Sequence, residues 1–201
     1  MRNLMPHTTS GLLLITCCIA ATACAQRPTG DQNSQLQAQN ALTDATIKWP
    51  AVGSEDRALE KSLLAEDRNA IAKTPMPVLW PSAKDVVRTA YVGQDAFYSI
   101  AATSMLELPS GNKSIATITV QGTRKLIEHE EMPKGGIGNR TYRNKSAFYT
   151  VNEGIVTATW IEFGVSYSVD IECSLAEDAR CGGDGYLKDV VESLRFVGGM
   201  R

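Results

Sequence analysis

Residues 165–172 alternate without a break: Val165, Tyr167, Val169 and Ile171 are apolar, and Ser166, Ser168, Asp170 and Glu172 between them are polar. Successive side chains of a strand point to opposite faces, so this period of two specifies a half-buried antiparallel strand, one face in a core and one in water. Such a strand needs neighbours of the same pattern and a second layer over its apolar side. The neighbours are legible as β segments at 97–106, 114–123, 147–151 and 155–162. They are punctuated by Pro109-Ser110-Gly111-Asn112, Asn152-Glu153-Gly154 and Phe163-Gly164.

Helical patterns bracket these strands. Ser54 is placed as an N-cap with Glu55 and Asp56 in the first turn, and Leu59, Leu63, Leu64, Ala70 and Ile71 recur at spacings suited to one face. The pattern predicts one helix that ends before Pro75. The following segment, Thr74-Pro75-Met76-Pro77-Val78-Leu79-Trp80-Pro81, has three prolines and is forced into an extended path, read as a strap across a core. Near the C-terminus, Asp184 precedes an apolar stripe of Tyr186, Leu187, Val190, Val191 and Leu194, and Phe196-Val197 returns to a β pattern. The fold class expected is α+β: an antiparallel sheet of two hairpin or meander units with an N-terminal and a C-terminal helix packed on it. Ala96-Phe97-Tyr98-Ser99-Ile100 and Ala147-Phe148-Tyr149-Thr150-Val151 echo one another, which leaves duplication or shared strand preference as readings. The aromatics, Tyr91, Tyr98, Tyr142, Tyr149, Trp160 and Tyr167 among them, are expected mainly in the core.

The N-terminus carries an address. After Arg2, residues 12–23 form an apolar run too short to span a bilayer, which reads as an export signal over residues 1–23. Ala21-Thr22-Ala23-Cys24 resembles the lipobox of bacterial lipoproteins. The resemblance implies that Cys24 is lipidated, becomes the first mature residue and holds the chain on a membrane. Ala25 in place of Asp after that cysteine implies the outer membrane. Ala23-Cys24-Ala25 also fits a cleavage site that would release a soluble periplasmic or secreted protein. Residues 24–53 then read as a Gln-rich tether and residues 54–201 as a single globular domain. The stretch from Trp160 to Val169 with the helix after it is similar to the ends of uncharacterised bacterial extracytoplasmic domains, which implies location and fold style and no catalytic residue.

Cysteine usage agrees with export. Of five cysteines, Cys17 and Cys18 lie in the signal and Cys24 at its boundary, leaving Cys173 and Cys181 around a polar loop. In an oxidising compartment two such thiols are a disulfide, and their spacing is wrong for a C-x-x-C redox pair.

Chemistry is sparse. The chain has two histidines, His7 and His129, so a histidine-based metal cluster is not expected, and no cofactor motif is found. His129-Glu130-Glu131-Met132-Pro133 lacks the second histidine of a zinc-protease helix. Glu128, Glu130 and Glu131 could serve a carboxylate-dependent hydrolase, but clustered neighbours more often form a solvated charge run. A net charge of −2 without a basic stripe argues against nucleic acid. The loop Lys134-Gly135-Gly136-Ile137-Gly138-Asn139-Arg140 matches no phosphate-binding pattern. With Lys134, Gly135, Gly136, Arg140 and Arg143 it is the segment chosen for partner contact. These features lead to an expectation of an envelope lipoprotein with a non-catalytic binding or scaffolding domain and a protein or cell-wall partner. A periplasmic inhibitor of a hydrolase, using the loop as a plug, is the alternative.

Overall fold

Three consecutive hairpins turn on two residues each, both with positive φ: Arg143 and Asn144 (50° and 58°), Glu153 and Gly154 (50° and 84°), Phe163 and Gly164 (56° and 78°). This mirror-image turn matches the right-handed twist of its flanking strands and fixes their register. The strands so joined are β7 (Arg140–Tyr142), β8 (Lys145–Asn152), β9 (Ile155–Glu162) and β10 (Val165–Cys173). A second meander holds β3 (Val87–Gly93), β4 (Phe97–Glu107) and β5 (Lys113–Thr123). Antiparallel pairing of β5 with β10 fuses the two into one seven-stranded sheet, ordered β3-β4-β5-β10-β9-β8-β7. Its edges are blunted: β7 has three residues, and β3 carries a register shift between Arg88 and Ala90.

The computed structural model describes residues 42–127 and 138–201. Beyond the sheet lie β1 (Leu42–Asp44), α1 (Ser54–Ser62), α2 (Ala65–Ile71), β2 (Val78–Trp80), β6 (Lys125–Ile127), α3 (Gly185–Ser193) and β11 (Arg195–Gly198). Strand β1 pairs with β6, and β2 with β11, as two small antiparallel ribbons. Among the described residues no helix is long and apolar enough to cross a membrane. The mainly antiparallel α+β class expected from the sequence is what the chain adopts.

One face of the large sheet is buried. Tyr98, Ile100 and Ala102 of β4, Ala116, Ile118 and Val120 of β5, Val156, Ala158 and Trp160 of β9, and the apolar series of β10 all point to it. The covering layer is α3, whose Leu187, Val190 and Val191 are buried, together with the β2–β11 ribbon. The proline strap lies in this layer as expected, with Met76, Val78 and Leu79 wholly buried. Its prolines remove donors that would otherwise need partners, and buried tyrosines of the sheet serve the groups that remain. The amide of Leu79 donates to the Tyr98 hydroxyl (2.9 Å), and the Tyr167 hydroxyl donates to the Pro77 carbonyl (2.9 Å). Trp80, Tyr91 and Tyr98 stack in sequence, with 6.2 Å between successive rings.

Two expectations are corrected. The single helix over 54–74 is two, because Leu63 and Leu64 are both extended, with ψ of 154° and 147°. Leu63 packs inward, and Arg68 takes up the freed carbonyls, donating to Lys61 (3.0 Å) and Leu63 (2.6 Å). The tether does not run to residue 53: the described fold begins at Leu42. The amide of Ala45 donates to Arg124 and that of Lys48 to Phe163, and Ile47, Trp49 and Val52 pack on the core. Trp49 meets the Phe196 ring edge-on at 6.4 Å and lies under the Arg201 guanidinium. Those three apolar residues gain enough by burial to order the end of an otherwise polar stretch.

The Phe97 and Phe148 echo is one of phase, since both phenylalanines point outward and both following tyrosines inward. It does not fit a repeat, because β4 is the second strand from the β5–β10 seam and β8 the third.

Gly122 stands opposite Tyr98 in the β4–β5 register, and a Cβ there would come within 2.4 Å of the Tyr98 ring. The ring is pinned by its bond to Leu79 and cannot yield. Gly122→Ala is therefore expected to destabilise the fold by about 1–3 kcal/mol, read from urea midpoints. Tyr98→Leu in the same chain should give less than the sum of the two single losses.

Candidate functional site

The opposite face of the sheet has no covering layer among the described residues. The pairing registers set its side chains in rows across the strands. One row runs Val92, Ser99, Gln121, Ser168, Thr159, Phe148, and the next Ala90, Ala101, Thr119, Asp170, Thr157, Thr150. A third holds Thr103, Thr117 and Glu172, and at the other end Phe97, Thr123, Ser166 and Ile161 line up. From Thr117 to Thr123 on β5, and along all of β9 and β10, these outward positions carry no lysine or arginine.

Short side chains on the central strands leave two shallow hollows. One, of about 370 Å³, is lined by Thr117, Thr119, Thr157, Asp170 and Glu172 with Gln121, Asn152 and Ile155 at its sides. The other, of about 340 Å³, is lined by Gln121, Thr123, Thr159, Ser166 and Ser168 with Phe97 at its edge. Gln121 borders both, so the two hollows adjoin, and together they make up a trough region that is acidic on one side of Gln121 and neutral on the other. The Thr157 hydroxyl donates to Asp170 at 2.7 Å. Apolar side chains rim the trough: Phe97 is 38%, Phe148 44% and Ile161 54% exposed. The face offers hydroxyls that donate or accept, two amides, two carboxylates and apolar borders, an equipment suited to holding a polar partner by many weak bonds.

A second set of charged groups is engaged within the fold. Arg180, in a short 3₁₀ turn at Ala179–Cys181, is buried under the end of the sheet. It donates to both Asp178 carboxylate oxygens, to Ser104 through hydroxyl and carbonyl, and to the Ser114 carbonyl. Ser104 and Tyr186 both donate to Asp85, and Arg180 lies 5.7 Å from the Tyr186 ring centre. Burial raises the Tyr186 phenol to about 12, so it stays a donor at any physiological pH. Cys173 and Cys181 form the expected disulfide, with their Cα atoms 6.0 Å apart, and close this loop against β10.

Of the residues chosen for partner contact, Arg143 is turned inward. It bonds Glu162 at 2.7 Å and the carbonyl of Leu194 at 2.7 Å, so it caps the C-terminal end of α3, where the helix dipole favours a cation. Arg140 is exposed, pairs with Asp184 at 2.6 Å and lies over the Tyr149 ring. Asp184 occupies the N-cap of α3, but no side-chain capping bond is formed there and its carboxylate takes Arg140. Lys134, Gly135 and Gly136 lie outside the described residues, as do Cys24, Glu128, His129, Glu130 and Glu131. Among the described residues no group of His, Cys, Asp and Glu converges to hold a metal ion.

The trough was not singled out from the sequence, although its signal is there. Thr117-x-Thr119-x-Gln121-x-Thr123, Thr157-x-Thr159 and Ser166-x-Ser168 are the polar phases of three strands. Only the register shows that they adjoin. No family model, no curated protein and no solved structure matches this chain.

The Arg180 hydrogen bonds hold the Asp178 carboxyl down at about 2. Its proton is bound more weakly in the folded chain than in the unfolded one, whose aspartates titrate near about 4. The carboxylate thus stabilises the fold at neutral pH, and that contribution is lost as pH falls from about 4 to about 2. Asp178→Asn should cost about 3–5 kcal/mol at pH 7 by leaving Arg180 buried without its counter-charge. It should also flatten the pH dependence of the urea midpoint between pH 4 and 2.

Proposed function

We propose that this chain is an envelope lipoprotein, anchored through Cys24, whose domain works by binding a protein or cell-wall partner on the open face of its sheet. The observation that carries the reading is the composition of that face. A solvated sheet face is polar, and soluble surfaces draw about a quarter to a third of their residues from Lys, Arg, Glu and Asp with both signs mixed. Here the three central strands present threonine, serine and glutamine with two carboxylates, Asp170 and Glu172, and no lysine or arginine from Thr117 to Thr123 or along β9 and β10, which leaves a trough with apolar borders. The disulfide in the Cys173–Cys181 loop supports an oxidising compartment.

The inhibitor reading rests on the Lys134 to Lys145 stretch and the hydrolase reading on Glu128 with Glu130 or Glu131, and no observation on the described part favours either. A photoreactive amino acid at position 159, in the trough floor, is expected to crosslink a partner in living cells. The same group at position 57, exposed on α1, should give no specific product. Equal crosslinking from both positions, or crosslinks confined to 134–136, would sink the open-face reading. Mass spectrometry of the mature N-terminus is expected to find lipid on Cys24, and a chain beginning at Gln26 would remove the anchor.

A further inference from the structure

Resting on the open-face reading, we propose that the trough receives an extended peptide lying along β10, with a lysine ammonium group seated at the acidic end. Strand β10 lays Ser166, Ser168, Asp170 and Glu172 down the middle of the trough, successive outward residues being about 6.6 Å apart. An extended peptide has the same repeat, so its alternate side chains fall in step with those positions.

Charge selects what sits at the acidic end. Asp170 lies between Thr119 and Thr157 in the register, and Glu172 lies opposite Thr117. The lining of that hollow holds two carboxylates and no lysine, arginine or histidine, so nothing on the hollow's own wall neutralises them. The Thr157 bond uses one Asp170 oxygen, and a carboxylate accepts at several further positions. A concave wall of low dielectric constant concentrates the field of such a pair and favours a compact cation. An ammonium group, with three donors, can bond both carboxylates and a threonine hydroxyl at once.

The neutral end selects the rest of the ligand. Gln121, Thr159 and Ser168 both donate and accept, as a peptide backbone does, and Phe97 and Phe148 stand where apolar peptide side chains would lie. A bare polyamine would use only the carboxylates, and a neutral glycan would leave them without a cation. A lysine-bearing peptide uses both ends and the rim.

The test is titration of the full mature chain, ¹⁵N-labelled, with the peptide Ala-Lys-Ala-Lys-Ala at low ionic strength. Amide shifts are expected along β5, β9 and β10, with saturation in the millimolar range or tighter. Nε-acetylation of both lysines should weaken binding at least tenfold. Asp170→Asn with Glu172→Gln should do the same, since asparagine still accepts from Thr157 and an unchanged thermal midpoint shows that the fold is intact. Equal binding of the acetylated peptide overturns the ammonium assignment. Spermidine or a chitin tetrasaccharide binding more tightly than the peptide overturns the choice of ligand. Either failure leaves the open-face reading standing if Ser168→Arg, which fills the trough beside the probe at position 159, still abolishes crosslinking in cells. Loss of that crosslinking dependence brings down both.

Discussion

The antiparallel seam between β5 and β10 is the contact on which the rest of the structure depends. It joins residues 116–123 to residues 166–173 and turns two local meanders into one sheet. The pairing sets Val120 opposite Val169 and Ile118 opposite Ile171, so the core residues of both meanders fall on one side. A slip of one residue would send the β10 apolar series into water and its serines and carboxylates into the core. The Arg180 loop guards the end of this seam. Leaving β10 through the disulfide at Cys173, it reaches across to the Ser104 and Ser114 carbonyls, which belong to the β4–β5 hairpin. The two meanders are held together by backbone pairing along the seam and by a buried cation at its tip.

The sheet's two faces obey different chemistry for a single reason. On the covered side aromatic rings supply area, and their hydroxyls supply partners for the proline strap. Trp160 and Tyr167 stack at 5.6 Å, and burial pushes the Tyr98 and Tyr167 phenols well above their ordinary range, so both remain protonated donors. On the open side the same strands carry small hydroxyl groups that are content in water or against another polar surface. Threonine serves both demands there: its branching suits the pleat, and its oxygen keeps the face wet.

Strand positions were legible in the sequence because alternation and turn chemistry act locally. Glu153-Gly154 and Phe163-Gly164 mark their hairpins at the residue level, and the structure turns there. The break at Leu63–Leu64 was not legible. Both residues fit the helical stripe, and what splits the helix is tertiary: Leu63 docks inward, and Arg68 takes up the carbonyls. The ordering of residues 42–53 was hidden for a similar reason, since Trp49 finds its partner in Phe196, nearly the whole domain away in sequence. The trough was written in the polar phase of three strands, yet a polar phase looks alike whether it faces bulk water or a partner. Arg143 shows the converse, an apparently free loop cation that the fold consumes to cap a helix.

The β1–β6 ribbon has a consequence for how the domain is presented. It fastens the chain at Leu42 to the strand that follows Thr123, and Thr46 crosses the β9–β10 hairpin at Gly164. The polypeptide therefore enters the fold beside the row of Phe97, Thr123 and Ser166. Glu172, six residues along β10 from Ser166, lies about 20 Å farther on. Measured from that point of entry, the hydroxyl rows are the proximal half of the open face and the carboxylates its distal half, so the negative charge of this face stands at the end away from where the chain comes in.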